Sequence, residues 1–197
     1  MAHLEPIPLS EVREDDIRAR FEHYRQTRGF TPNSIMTMVR RPDIVRAFMA
    51  LNQAVLYEGT VPSQTKMLVS LASSYAAGCR YCQSHMSNLS SIYQVPDAKI
   101  AALWDFEQSD LYSPAERSAI ALALKAGAQP NQATGADFDA LREHFDEGQI
   151  VELVATIALF GYLNRWNDTM ATALEPLPAQ VAQRAIGAVG WEPGKHG

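Results

Sequence analysis

From about residue 13 to residue 188, apolar residues recur at three- and four-residue spacing in Ala-rich stretches, and alternating β-branched runs closed by hairpin turns are hard to find. That pattern predicts an all-α fold. The spacing places helices at about 13–27, 34–40, 43–57, 63–77, 80–93, 97–107, 114–126, 136–145 and 148–173, with another near 178–188. Pro42 and Pro114 suit first-turn positions, where a missing N–H costs nothing. Ser63 and Ser113 suit N-caps, and Gly59, Gly78 and Gly127 suit helix ends. Gln129 to Gly135 reads as a loop, and the tail from Gly190 to Gly197, which has no apolar face, is expected to fray and is given no role.

A chain of 197 residues can bury a sufficient core without covalent staples. It is expected to form a single domain over 1–197, with a motif-bearing half at about 42–107 and a second half at about 113–175. The two halves look weakly related, because Met67 to Gly78 can be laid on Glu116 to Gly127, each an apolar helix ending on glycine. A formal charge of −5 with interspersed signs offers no basic face for nucleic acid or an anionic membrane. The arginines and carboxylates between Glu11 and Arg28 alternate as on a solvated helix face, and His23 and His144 are expected on the surface. Met1 to Arg13 lacks a basic segment followed by an apolar run, and no apolar stretch reaches the roughly 20 residues of a membrane span. The expected location is the cytoplasm.

Both cysteines of the chain and one of its five histidines fall within Cys79-Arg80-Tyr81-Cys82-Gln83-Ser84-His85. Two thiols at this spacing can close and reopen a disulfide, and in a reducing compartment such a pair is more useful for chemistry than as a permanent bridge. Gly78 ends one helix and the next begins at or just after Cys79, so both sulfurs fall in a first turn where free N–H groups and the helix dipole favour a thiolate. Cys82 and His85, three apart, share a helix face. The imidazole there would serve as thiol base, with Cys82 as attacking thiol and Cys79 as resolver. Structural zinc would need a fourth ligand, and no second CxxC or paired histidines supplies one. Haem attachment needs His where Gln83 stands. Inert buried thiols beside a core histidine are the remaining alternative.

Pro62-Ser63-Gln64-Thr65-Lys66-Met67-Leu68-Val69-Ser70-Leu71-Ala72-Ser73-Ser74, followed by Gly78-Cys79-Arg80-Tyr81-Cys82 and His85, resembles the AhpD-like branch of the carboxymuconolactone decarboxylase family. Ser113 to Arg117, Phe145 to Val154 and Asn164 to Asp168 resemble its longer peroxidase-related members. The resemblance implies a multi-helix bundle that assembles into homo-oligomers and reduces alkyl hydroperoxides or hydrogen peroxide. In that cycle Cys79, Cys82 and His85 supply the dithiol and base, sulfenic acid and disulfide are intermediates, an external thiol resets the pair, and no cofactor or metal is required. The family's relay glutamate, twelve residues before the first cysteine, is Met67 here. Glu116 is the replacement candidate, since it matches Met67 in the internal repeat, and Tyr81 is a candidate pocket residue. Asn164, Arg165, Asn167 and Asp168 form a polar band on a late apolar helix, for which a structural role is expected. Alternative readings are a carboxymuconolactone decarboxylase-like enzyme, a thiol-disulfide reductase, or a redox-responsive oligomeric module.

Overall fold

A computed structural model describes residues 2–197; Met1, at the head of the segment read for a leader, lies outside them. The described residues form ten α-helices, short 3-10 turns and no strand: α1 Asp15–Arg28, α2 Asn33–Met38, α3 Pro42–Leu56, α4 Ser63–Ala76, α5 Arg80–Ile92, α6 Asp97–Ala101, α7 Pro114–Gly127, α8 Gly135–Arg142, α9 Glu147–Met170 and α10 Pro176–Ile186. Each expected helix is present. That expected at 97–107 is split, with α6 passing into a 3-10 turn over Ala102–Asp105.

The helix α4 explains the packing. Every residue from Thr65 to Ser74 is buried, so α4 is surrounded rather than half-exposed, and α5, α7 and α9 pack round it. Its large side chains Met67, Leu68 and Leu71 are fully buried, each contributing roughly 1.5–3 kcal/mol by leaving water. Two of its buried serines are satisfied within the helix's own turns: Ser70 Oγ donates to Lys66 O at 2.7 Å and Ser74 Oγ to Ser70 O at 2.8 Å. Small residues also let neighbours approach. A Cβ on Gly127 would lie 2.9 Å from Ser73 O, so the end of α7 needs glycine where it meets α4. The two helices of the internal repeat thus pack on each other. No helix among the described residues is long and apolar enough to cross a membrane.

Punctuation largely follows the expected chemistry. Pro42 and Pro114 each open a helix, and Ser113 caps α7 in a capping box with Glu116. Ser63 does not cap α4. The chain turns helical at Ser63 itself, while Pro62 holds the extended cap geometry (φ −53°, ψ 135°) without a side-chain bond. Gly78 adopts φ +73°, a left-handed conformation that reverses the chain between α4 and α5 and delivers Cys79 to the cap of α5.

The C-terminal tail does not fray. Trp191 and His196 are buried, Trp191 Nε1 donates to Arg80 O at 3.2 Å, and the Leu174 amide donates to His196 O at 2.8 Å. His196 Nδ1 lies 2.9 Å from Thr172 O, and Lys195 pairs with Asp168 at 2.9 Å. Isolated anchors of this kind have no periodicity for a sequence to display. They seal the start of α5 and the connection between α9 and α10 against one another.

Candidate active site

Cys79 occupies the N-cap of α5, and its sulfur accepts the Cys82 backbone N–H at 3.4 Å. Both thiols are free and buried. The Cys82 thiol and the first-turn amides donate to Cys79 strongly enough to outweigh burial, so the Cys79 pKa falls below the ordinary thiol value. Cys82 behaves oppositely: burial, and then the adjacent Cys79 sulfur, push its pKa well up. At rest Cys79 is therefore the more acidic sulfur and Cys82 holds its proton. The Cys82 sulfur also accepts a bond from Asn167 Nδ2, on α9, at 3.4 Å.

One helical turn further along α5, His85 Nε2 lies 2.6 Å from Glu175 Oε2. Glu175 comes from the start of α10, ninety residues away in the chain. The Tyr81 hydroxyl donates to the other carboxylate oxygen at 2.9 Å, and the Asn33 backbone N–H reaches that same oxygen. Burial works against ionisation of Glu175, but the His85 charge and hydrogen bond with the amide donors outweigh it, and its pKa is lowered. Tyr81 stacks on the imidazole at 4.2 Å with a 21° interplanar angle, and Phe30 meets it edge-on at 5.4 Å. The imidazole is thus stacked on Tyr81, flanked by Phe30 and held at Nε2.

The expected hydrogen bond between His85 and Cys82 is not formed; the two side chains instead line one cavity, together with Tyr81 and Asn167. Phe48, Tyr57 and Phe160 contribute aromatic surface, and Met86, Leu89 and Leu163 aliphatic surface. Arg28 forms part of the wall, with its guanidinium 4.3 Å from the Tyr24 ring and hydrogen bonded to the Tyr57 hydroxyl. The space measures about 60 Å³. A single water needs roughly 10–15 Å³ on this measure, so the cavity suits a few waters or one small molecule.

Glu116 is not in this site. Its carboxylate bonds Lys99 Nζ at 2.6 Å and accepts the Ser113 N–H at 2.9 Å, an ion pair and cap that hold it at the head of α7. The carboxylate beside His85 is instead Glu175, which the sequence does not betray because nothing near Glu175 in the chain hints at His85. Met67 is buried in the core. The polar band on α9 divides: Asn164 Nδ2 bonds Ser73 O at 3.4 Å, Arg165 lines a separate surface groove, Asn167 reaches Cys82 and Asp168 holds Lys195. Tyr81 lines the cavity, but its hydroxyl is engaged by Glu175. His23 and His144 are exposed. No group of three or more His, Cys, Asp or Glu side chains that could hold a metal ion occurs among the described residues.

An all-helical core that presents a CxxC pair at the cap of one helix, beside a half-buried imidazole and a buried carboxylate, defines an AhpD-like architecture with a dithiol at its candidate site. The sequence profile of the carboxymuconolactone decarboxylase family matches residues 42–125, from the start of α3 nearly to the end of α7. The chain is 32% identical to the debrominase Bmp8, solved as a cysteine-to-alanine variant in complex with 2,3,4-tribromopyrrole; the alignment covers 92% of this chain and 96% of that one, with a TM-score of 0.85. It is 28% identical to an uncharacterized peroxidase-related protein, described as an alkylhydroperoxidase AhpD core, from Ralstonia eutropha JMP134, over 88% of this chain and 94% of that one, with a TM-score of 0.73. It is also 28% identical over 112 residues to the uncharacterized protein YdfG of Bacillus subtilis (strain 168), covering 56% of this chain and 74% of YdfG. The chain belongs to the carboxymuconolactone decarboxylase family and has its AhpD-like all-α fold.

Proposed function

We propose that the protein is a dithiol reductase that removes an electrophilic substituent, a halogen foremost, from a small aromatic molecule bound against Cys82. The observation that carries this reading is the placement of the thiols. Cys82 is on the wall of a small aromatic cavity, and Cys79, the more acidic sulfur, sits at the adjacent helix cap in hydrogen-bonding contact with it. The similarity to a debrominase across nearly the whole chain supports the same substrate class.

In the first step Cys82 gives up its proton and its sulfur bonds the halogen as the carbon–halogen bond breaks. The carbon keeps the bonding electron pair and takes a proton at the cavity wall, where His85 is held by Glu175. Cys79 thiolate then attacks the Cys82 sulfur, closing the disulfide and releasing halide. Net, two thiols and a carbon–halogen bond become a disulfide, a carbon–hydrogen bond, halide and a proton. An external thiol donor reduces the disulfide and restores the pair.

The same sulfurs suit a hydroperoxide, which would give sulfenic acid on Cys82 and then the disulfide, with alcohol and water as products. The CxxC-histidine motif and the similarity to a peroxidase-related structure favour that second reading. One experiment separates them. Reduced protein is incubated with 4-bromophenol, with a bromopyrrole and with tert-butyl hydroperoxide, and free thiols and bromide are counted in wild type and in Cys79→Ser and Cys82→Ser variants. One bromide per two thiols lost, abolished in Cys82→Ser, is expected. Thiols lost only to the hydroperoxide would establish the peroxidase, and thiols inert to all three would sink both readings.

A further inference from the structure

Resting on the reading of the Cys82 cavity as the substrate site, we propose that Asn167 selects the substrate: its Oδ1 accepts a hydrogen bond from a ring N–H or O–H while its Nδ2 holds the Cys82 sulfur. The argument begins from polar groups that have no partner. A buried carboxamide offers two donors and an acceptor, and leaving the acceptor empty in an apolar setting costs as much as a lost hydrogen bond. Asn167 is 1% exposed, and its Nδ2 donates to Cys82 Sγ at 3.4 Å. Its Oδ1 has no hydrogen-bond partner among the described residues.

Several buried polar atoms elsewhere in the protein are also unpartnered, but Asn167 alone among the cavity-lining side chains carries one. Three further polar side chains of the wall are engaged, and Tyr24, Ser34 and Asn52 also line it. The Tyr81 hydroxyl donates to Glu175, the Arg28 guanidinium donates to the Tyr57 hydroxyl, and His85 Nε2 is on Glu175. A ligand in this cavity therefore finds largely aromatic and aliphatic walls and, on the residue that touches the Cys82 sulfur, a fully buried acceptor without a partner.

Two consequences follow for the ligand. It is neutral and planar, because the walls are largely apolar, and it carries a donor on the ring. The carboxamide joins donor and sulfur through a single rigid plane, so the atom attacked lies beside the donor-bearing edge. Halogenated pyrroles, indoles and phenols meet this description. Their N-methyl or O-methyl counterparts do not, and neither does an alkyl hydroperoxide without a ring.

Binding of 2-bromophenol and of 2-bromoanisole, whose bromine is adjacent to the oxygen, to the reduced protein tests the proposal, by calorimetry in wild type, Asn167→Leu and Asn167→Asp, with thiols counted in parallel. Wild type is expected to prefer the phenol by about tenfold, the scale of one buried hydrogen bond. Asn167→Leu should lose that preference. Asn167→Asp retains an acceptor and should retain the preference, but it loses the N–H on sulfur and should slow thiol consumption without a matching loss of phenol affinity. Equal binding of the two ligands by wild type, or a preference that survives in Asn167→Leu, would overturn the assignment of Asn167 and leave the dithiol reading intact. A preference lost only in Asn167→Leu, with thiols inert to every halogenated ring, would uphold Asn167 as a ligand contact and sink the reductase reading. Failure of both ligands to bind would overturn both.

Discussion

Two acid–base pairs, each with one buried partner, lie along α4 and α5, and they contrast in their surroundings. Lys66 is 1% exposed and pairs with Glu152 at 2.8 Å. Its ammonium also donates to Val55 O at 2.9 Å and Glu58 O at 2.5 Å, so all three donors are used. Glu152 in turn accepts the backbone N–H groups of Thr60 and Val61 at 2.8 and 3.0 Å. That pair ties the end of α3 and the loop at Gly59 to α9. It is saturated, and neither residue lines the cavity at Cys82. Glu175 is also buried and hydrogen bonded to a half-buried His85, yet the imidazole borders a cavity that is also lined by a thiol. Saturation marks a structural clasp; a polar pair left open to a cavity beside a nucleophile marks chemistry.

The comparison predicts its largest effect at the clasp. Glu152→Ala strands the buried Lys66 ammonium and two loop amides, and should cost about 3–5 kcal/mol of stability, read by urea denaturation. The acid limb sharpens this. Burial raises the Glu152 pKa, but Lys66 and the loop N–H groups outweigh it and bring it to about 2. A carboxylate with a folded pKa below its unfolded value stabilises the fold above the unfolded pKa, near 4.3, and loses that contribution as pH falls toward the folded one. Stability should therefore decline between about pH 4.5 and pH 2, and the decline should shrink in Glu152→Gln.

A smaller effect, of a different kind, is expected at the site. Glu175→Gln keeps hydrogen bonds to Tyr81 and Asn33 but removes the charge that holds His85. Thiol consumption by substrate should slow about 10- to 100-fold, part of what general acid–base catalysis contributes, with ligand affinity unchanged. A variant that lost stability without losing rate would make this pair a second clasp. The smallest effect belongs to Glu116→Gln, which weakens one cap and one ion pair: stability should fall by about 1 kcal/mol or less, with no change in rate. A rate loss there would restore Glu116 to the relay.

Sequence and structure agree most closely where the contacts are local. Ser113 and Glu116 meet three residues apart in a capping box, Cys79 caps the turn that contains Cys82, and Gly78 supplies the left-handed residue before them. Each is set by backbone geometry within one or two turns. Ser63 shows the limit even there, because Pro62 takes the cap and moves the helix start by one residue. The tail from Gly190 shows a different limit: its order rests on Trp191, Lys195 and His196 meeting atoms far away in the chain.

The amino-acid sequence by itself determined the helices, the presence of a dithiol at the cap of one of them, and a histidine one turn beyond, since helix periodicity and capping depend on neighbours three and four residues apart. Only the tertiary structure decided that Glu175, and not Glu116, holds that histidine, that Asn167 touches Cys82, and that aromatic residues of α1, α3 and α9 wall the cavity. Those contacts join positions from 85 to 90 residues apart or come from helices with ordinary apolar patterns, and they exist only because α4 is buried on all sides and its neighbours have nowhere else to pack.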